Sequence, residues 1–249
     1  MSVVVVMPAY DEEDCIEGVV GAWLEVMSSV GGRLLVIDDG STDRTGALLD
    51  GLADRDARIR VVHQPNAGHG PTVLRGYREA LRESPRYVFQ TDSDDQFPAE
   101  EFWKLWRERE RAAFVHGVRR DRSDAAGRRL ISRVLARLIV WLFGYRIQDA
   151  NVPFRLMSAD ALEGLLPSIP GDVFAPNIFL SIAAHEAGYG LLELPIEHRA
   201  RRTGEVHIVR AGLAKACLRS GIELWHFRRS VRNPEFRIRG DASAHAAKR

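Results

Sequence analysis

Two aspartates two positions apart, Asp92 and Asp94, stand in the run Gln90-Thr91-Asp92-Ser93-Asp94-Asp95-Gln96, directly after Arg86-Tyr87-Val88-Phe89. The aromatic and β-branched run reads as a buried strand that stops at turn formers, so the carboxylates fall at its C-terminal end. In an open α/β sheet that edge is where ligands bind, and carboxylates at this spacing can turn oxygens toward one hard divalent cation. Such a cation could hold a diphosphate. The competing reading is an acidic turn ahead of the helix that starts near Pro98-Ala99-Glu100-Glu101, whose N-terminus favours negative charge. Two further stretches have the same character: Asp38-Asp39-Gly40-Ser41-Thr42-Asp43 after Val36-Ile37, and the glycine-rich Asn66-Ala67-Gly68-His69-Gly70.

The elements that must position these stretches alternate. Apolar runs at 3–6, 33–37, 59–63, 87–90 and 113–116 read as strands. Helical periodicity lies between them: Ile16, Val19, Val20, Trp23, Leu24 and Met27 share one face, Leu48, Leu49 and Leu52 another, and Val73, Leu74, Tyr77 and Leu81 a third. Asp11-Glu12-Glu13-Asp14 opens the first helix, and Ser41 or Thr42 is placed to cap the second. Short joins between strands and helices predict a parallel, helix-flanked sheet, with the loops at 8–12, 38–43, 66–70 and 92–96 along one rim.

The 249 residues suffice for a full core in one domain, two small ones being the alternative, and 45% apolar with 28% charged is ordinary globular composition. A net charge of +1 conceals an asymmetry: residues 1–110 hold 12 Lys+Arg against 21 Asp+Glu, and 111–249 hold 23 against 13. An acidic half suits a metal; a basic half suits an anionic partner such as a phosphate or a membrane surface. Cys15 and Cys217 are the only cysteines, which points to packing in a reducing compartment. The first residues read as a strand, not a signal peptide, and no apolar run of about 20 residues predicts a membrane span. The second half holds two basic amphipathic helices. At 128–143 an apolar face runs beside Arg129, Arg133 and Arg137; at about 211–231 Leu213, Cys217, Leu224, Trp225 and Phe227 lie among Lys215, Arg219, Arg228 and Arg229. Each can pack on the core with a solvated Arg face, or lie in a membrane interface. Residues 233–249 read as a disordered tail.

Together, Met7-Pro8-Ala9-Tyr10-Asp11-Glu12, the Asp38-Asp39 stretch, Asn66-x-Gly68-x-Gly70 and Asp92-x-Asp94-x-Gln96 resemble inverting family 2 glycosyltransferases of the GT-A fold. Gly117-Val118-Arg119-Arg120, Arg128 to Arg133, and Asp149 through Phe154-Arg155-Leu156 continue the likeness toward the polyprenyl-phosphate (dolichyl-phosphate) sugar synthases. The resemblance spans roughly residues 3–230 and implies an α/β GT-A domain over 1–232. Its nucleotide-sugar-binding half would be 1–117, and its acceptor-binding, membrane-facing half 118–232. It implies that Pro8, Ala9, Tyr10 and Glu12 cradle the nucleotide base, and that Asp39 accepts hydrogen bonds from base or ribose. Asp92 and Asp94 would hold Mg²⁺ or Mn²⁺, and Gln96 would meet a donor phosphate or the metal's water shell. Asp149 would orient the acceptor site or, on the plainer reading, cap or pair with Arg155. Gly68 and Gly70 would let the backbone approach a ligand.

Neither a late acidic pair nor the Gln-x-x-Arg-Trp signature of processive members is present in the sequence. A phosphate oxygen needs positioning by cations and no base, and Arg119, Arg133, Arg155 and Arg202 are the candidates for that role. Arg202 also counts among the donor contacts. The expected reaction is metal-dependent transfer from a nucleotide sugar, GDP-mannose or UDP-glucose, to a polyprenyl monophosphate. The alternatives are transfer to a hydroxyl of a soluble acceptor, and a catalytically silent binding module. The chain would work in the cytoplasm, peripheral at the membrane's cytoplasmic face, reaching its lipid through the basic helices or a membrane-anchoring protein. Nothing marks a nucleic-acid partner. Departures are His69 where such enzymes carry Lys, Asp95 and Phe97 after the acidic motif, and Val206-His207 where Ser-Lys is usual.

Overall fold

The computed structural model describes residues 2–119, 126–199 and 210–231, with the side chains of 126–133 and 210–220 outside the described set. Seven strands form one sheet in the order β3-β2-β1-β4-β6-β5-β7. These are β1 (Val3–Ala9), β2 (Arg33–Asp38), β3 (Ile59–His63), β4 (Tyr87–Gln90), β5 (Phe114–Arg119), β6 (Arg155–Ser158) and β7 (Leu191–Ile196). All expected strands are present. The β6 strand is an addition: it runs antiparallel between β4 and β5, pairing Gln90 with Arg155 and Arg155 with His116. The other six strands point their C-terminal ends to one rim.

Helices cover both faces, which is why β1 is buried along its whole length. Alternation along β1 sorts its side chains: Val3, Val5 and Met7 join the core under α1 (Ile16–Val30), α2 (Thr45–Ala53) and α4 (Phe102–Arg107), while Val4 and Val6 face the other side. That side is covered by α3 (His69–Leu81), α5 (Ala126–Phe143), α6 (Ala159–Leu165), α7 (Pro176–Glu186) and α8 (Arg210–Val231). On the first side, Trp23, Phe89, Phe102 and Phe154 form an aromatic cluster, with Phe89 and Phe154 centroids 4.8 Å apart at 86°. Each such ring pair adds about 0.5–1.5 kcal/mol beyond its burial. The α1 helix stops at Gly31, whose φ of 64° permits the left-handed cap and whose N–H reaches Met27 O. The helices predicted over 128–143 and 211–231 are α5 and α8; the tail at 233–249 lies outside the described residues.

Candidate active site at the C-terminal rim of the sheet

The loops after β1 and β2 are stitched into one wall. Asp11, at φ 52°, accepts Thr42 N (2.6 Å) and Asp43 N (3.3 Å), while its own N–H donates to Ser41 Oγ. Glu12 N donates to Thr45 Oγ1 at 2.8 Å and Glu13 N to Asp43 Oδ2 at 3.1 Å. The start of α2 is held by Asp43, which accepts Thr45 N at 2.8 Å. Ser41 and Thr42, expected as caps, instead bond Asp38 of their own loop and Asp11 of the neighbouring one. The half-buried Tyr10 stands in this wall, its hydroxyl pKa raised by the Asp11 carboxylate first and then by burial. Pro8 and Ala9 lie at the buried end of β1, and Glu12 is buried beneath the loop.

Asp38 and Asp39 are both buried and shape turns. Asp38 accepts the N–H and hydroxyl of Ser41 and faces His63 Nδ1 at 2.7 Å; His63 Nε2 lies 3.0 Å from Asp50 Oδ1. Asp39 accepts Gln64 Nε2 (2.5 Å), Ala67 N (2.8 Å) and Gly68 N (2.9 Å), which sets the turn into α3. These bonds take three of the roughly four acceptor positions on a carboxylate. Gly68 takes φ 86° there. The expectation for Gly70 changes: a Cβ on it would lie 1.8 Å from Val173 O, so its missing side chain admits the protein's own backbone. His69 opens α3, its imidazole pushed below its ordinary range by desolvation, against the pull of Asp94 and Asp39.

The half-buried Asp92 and Asp94 flank Ser93, whose carbonyl faces Cys15 Sγ at 3.4 Å. Asp94 Oδ1 accepts Gln96 N at 3.3 Å, and Asp95 takes φ 57°. Gln96 links this turn to the segment after β7: its Nε2 donates to Arg199 O (3.2 Å), and Arg199 N donates to Gln96 O (2.8 Å). One of its two amide N–H groups is therefore engaged within the protein. Among the described residues no set of three or more His, Cys, Asp or Glu converges on a cation position. Two carboxylates at this spacing on one turn fit Mg²⁺ or Mn²⁺, which take further oxygens from water and a substrate's phosphates.

At the end of β5, Arg119 Nε and Nη2 grip Asp149 Oδ2 and Oδ1 at 2.7 and 2.9 Å, a bidentate fork with Asp149 buried. The plainer expectation, that Asp149 pairs with Arg155, gives way to this pair. The β4 and β5 strands are two spacings apart, so the strands that lead into the acidic turn and the fork end about 10 Å apart along the same rim.

Arg155, expected at the acceptor phosphate, is turned into the core instead. It is fully buried, and its guanidinium donates to Val152 O (3.0 and 2.6 Å), Ala150 O (3.0 Å), Asn177 O (3.2 Å) and Ser181 Oγ (3.3 Å). No N–H is left for an acceptor phosphate. It braces the 150–152 segment that follows Asp149 against α7, and burial pulls its pKa down to about 10. Around it lies a polar layer that sequence reasoning missed. Tyr77 Oη bridges the side chains of Gln90 and Asn177 (2.5 and 2.8 Å), and His116, its pKa lowered by burial and then by Arg155, is kept neutral. Tyr77 had been read as part of an apolar helix face, and the only signal was polar residues on strands otherwise apolar. Arg133 lies on α5 with its side chain outside the described residues; Arg120, Arg202 and His207 also fall outside them.

A mostly parallel sheet with an acidic turn closing its central strand is the GT-A arrangement. Glucosyl-3-phosphoglycerate synthase from Mycobacterium tuberculosis, in complex with Mn²⁺, UDP and phosphoglyceric acid, shares it with a TM-score of 0.71 at 22% identity, over 91% of this chain and 78% of that one. The same enzyme with Mg²⁺ and UDP gives 0.70. The chain belongs to glycosyl transferase family 2, which it matches over residues 4–164. It is 27% identical over 206 residues to the undecaprenyl-phosphate 4-deoxy-4-formamido-L-arabinose transferase of Edwardsiella ictaluri, covering 81% of this chain and 61% of that protein's length. It is 29% identical over 210 residues to the polyprenol monophosphomannose synthase of Mycolicibacterium smegmatis, over 80% of this chain and 78% of that one.

Proposed function

We propose that this glycosyltransferase moves a sugar from a nucleotide sugar onto a polyprenyl monophosphate. The observation that supports this most is the Arg119–Asp149 fork on the same rim as the Asp92/Asp94 turn: a fixed guanidinium two strands away from an acidic turn. The names of the relatives point the same way. The wall formed by Tyr10, Glu12 and Asp39 receives the base and ribose, and Asp92 and Asp94 are the residues that would hold Mg²⁺ or Mn²⁺, which when bound would supply Lewis-acid stabilisation of charge on the leaving group. Arg119 orients the acceptor phosphate, whose oxygen is ionised near neutral pH with a second pKa of about 6. That oxygen attacks the anomeric carbon from the face opposite the leaving group. The new C–O bond forms as the bond to the diphosphate breaks, the electron pair departs with the nucleoside diphosphate, and no proton has to be abstracted. Arg133 and Arg202 join the phosphate contacts, Gln96 supports the metal turn, and the acceptor half 118–232 meets a membrane directly or through an anchoring protein.

The test is incubation of the purified chain and Mn²⁺ or Mg²⁺ with labelled nucleotide sugars, with and without polyprenyl monophosphate in detergent, followed by organic extraction. Lipid-phase label that depends on one donor and disappears with EDTA is expected. Nucleoside diphosphate released only with water-soluble acceptors would replace the lipid phosphate with a hydroxyl acceptor.

A further inference from the structure

Phe174 is, among the described residues, the one large apolar side chain outside α5 and α8 that stands exposed, at 45%. Its neighbours are held: Val173 and Ala175 are buried, and Pro176 opens α7 directly after them. The ring is therefore presented to solvent by an anchored backbone. A lone apolar residue on a surface needs no explanation; the place of this one gives it a use.

Three contacts fix that place. The carbonyls of Val173 and Phe174 lie against Gly70, in the first turn of α3. Asn177, in the first turn of α7, meets the Tyr77 hydroxyl, which also meets Gln90 at the end of β4, two residues before Asp92. Arg155, the first residue of β6, donates to Asn177 O and Ser181 Oγ of the same helix. The start of α7 thus lies over the rim ends of β4 and β6, with Phe174 three residues ahead of Asn177. The sheet order decides what belongs there. The wall proposed for base and ribose follows β1 and β2, the acidic turn follows β4, and the fork proposed for the acceptor phosphate lies at the end of β5. A sugar that leaves a diphosphate at the acidic turn for a phosphate at the fork has to pass between β4 and β5, where β6 begins and α7 starts. We infer that Phe174 is the platform for the transferred sugar, its ring lying against the C–H face of the pyranose. The negative face of an aromatic ring attracts the weakly positive C–H groups of a sugar, and a ring already held out by its backbone loses little freedom when the sugar arrives.

This placement rests on the donor and acceptor sides proposed for the site, and it is measured without an acceptor. Wild type, Phe174→Ala and Phe174→Tyr are titrated calorimetrically in Mg²⁺ with UDP-glucose, GDP-mannose, UDP and GDP, and saturation-transfer NMR compares sugar with base protons of whichever nucleotide sugar binds. Phe174→Ala, with unchanged circular dichroism, should weaken the nucleotide sugar about three- to tenfold and leave the matching nucleoside diphosphate within about twofold. Its sugar-ring signals should fall relative to those of the base, and Phe174→Tyr should stay near wild type in both. Unchanged nucleotide-sugar affinity in Phe174→Ala, or an equal loss for the diphosphate alone, would overturn the platform. If the split is found but no polyprenyl phosphate accepts sugar, the platform stands and the proposed acceptor falls. If wild type binds neither nucleotide sugar, the platform and the donor reading fall together.

Discussion

Replacing Asp149 by Asn keeps the shape of the Arg119–Asp149 fork, proposed to serve the acceptor, and removes its charge. Asp149 is 4% exposed and the Arg119 side chain 17%, so the pair is largely out of water. The amide retains one acceptor oxygen, so one of the two hydrogen bonds is lost and an NH₂ faces the guanidinium. A hydrogen bond to a charged group contributes about 1.5–3 kcal/mol, and breaking a fully buried pair costs about 3–5 kcal/mol. Arg119 can regain some water, so the expected loss is about 2–3 kcal/mol, or roughly 5–10 °C in Tm for a chain of this size. A guanidinium displaced by about 1 Å should lower kcat/KM for the acceptor roughly a hundredfold. The wall proposed for the donor is built from other loops, so the affinity for nucleoside diphosphate should stay within about twofold. Urea unfolding, acceptor kinetics and nucleotide titration of D149N, R119M and the double variant check this, the single losses being strongly non-additive in the cycle. Wild-type acceptor kinetics in D149N, or an equal loss of donor binding, would refute the assignment of the fork to the acceptor.

Asp94→Ala should reduce turnover by about a thousandfold or more while leaving the urea midpoint near that of wild type, because Asp94 lies half-exposed in a turn. Gly70→Ala should destabilise by about 1–3 kcal/mol in urea unfolding, since its Cβ would meet Val173 O at 1.8 Å and the first turn of α3 must move. The His63 pKa is raised by its hydrogen bonds to Asp38 and then Asp50. The stability it adds is therefore full below the unfolded value of about 6.5 and is lost as pH rises through the higher folded value. His63 is 46% exposed, so the effect should be about a few tenths of a kcal/mol between pH 6 and 9, and absent in His63→Gln.

The first four strands and the rim loops were legible because each β-branched run stops at residues that only a turn accommodates. What escaped was anything decided by the third dimension. The β6 strand is four residues long and begins with an arginine, so Arg155 read as a ligand-facing cation. The carbonyls of Ala150, Val152 and Asn177 that draw it inward come from segments whose placement only the fold defines. An antiparallel strand between two parallel ones leaves no periodic trace. The caps of α2 were misjudged for a related reason: Ser41 and Thr42 are good caps locally, but Asp11 and Asp38 reach them first. Asp38 fixes its own turn through its bonds to Ser41. Trp225 of α8 belongs to the apolar periodicity, Trp141 of α5 does not, and only the packing divides each helix into a buried and an exposed side.

The central claim is that a phosphate oxygen is the nucleophile, and ³¹P NMR of the running reaction tests it most directly. The acceptor's monoester resonance should give way to a diester coupled to an anomeric proton of inverted configuration, with one nucleoside diphosphate released for each diester formed. Release of nucleoside diphosphate while the monoester resonance stays unchanged would contradict the account.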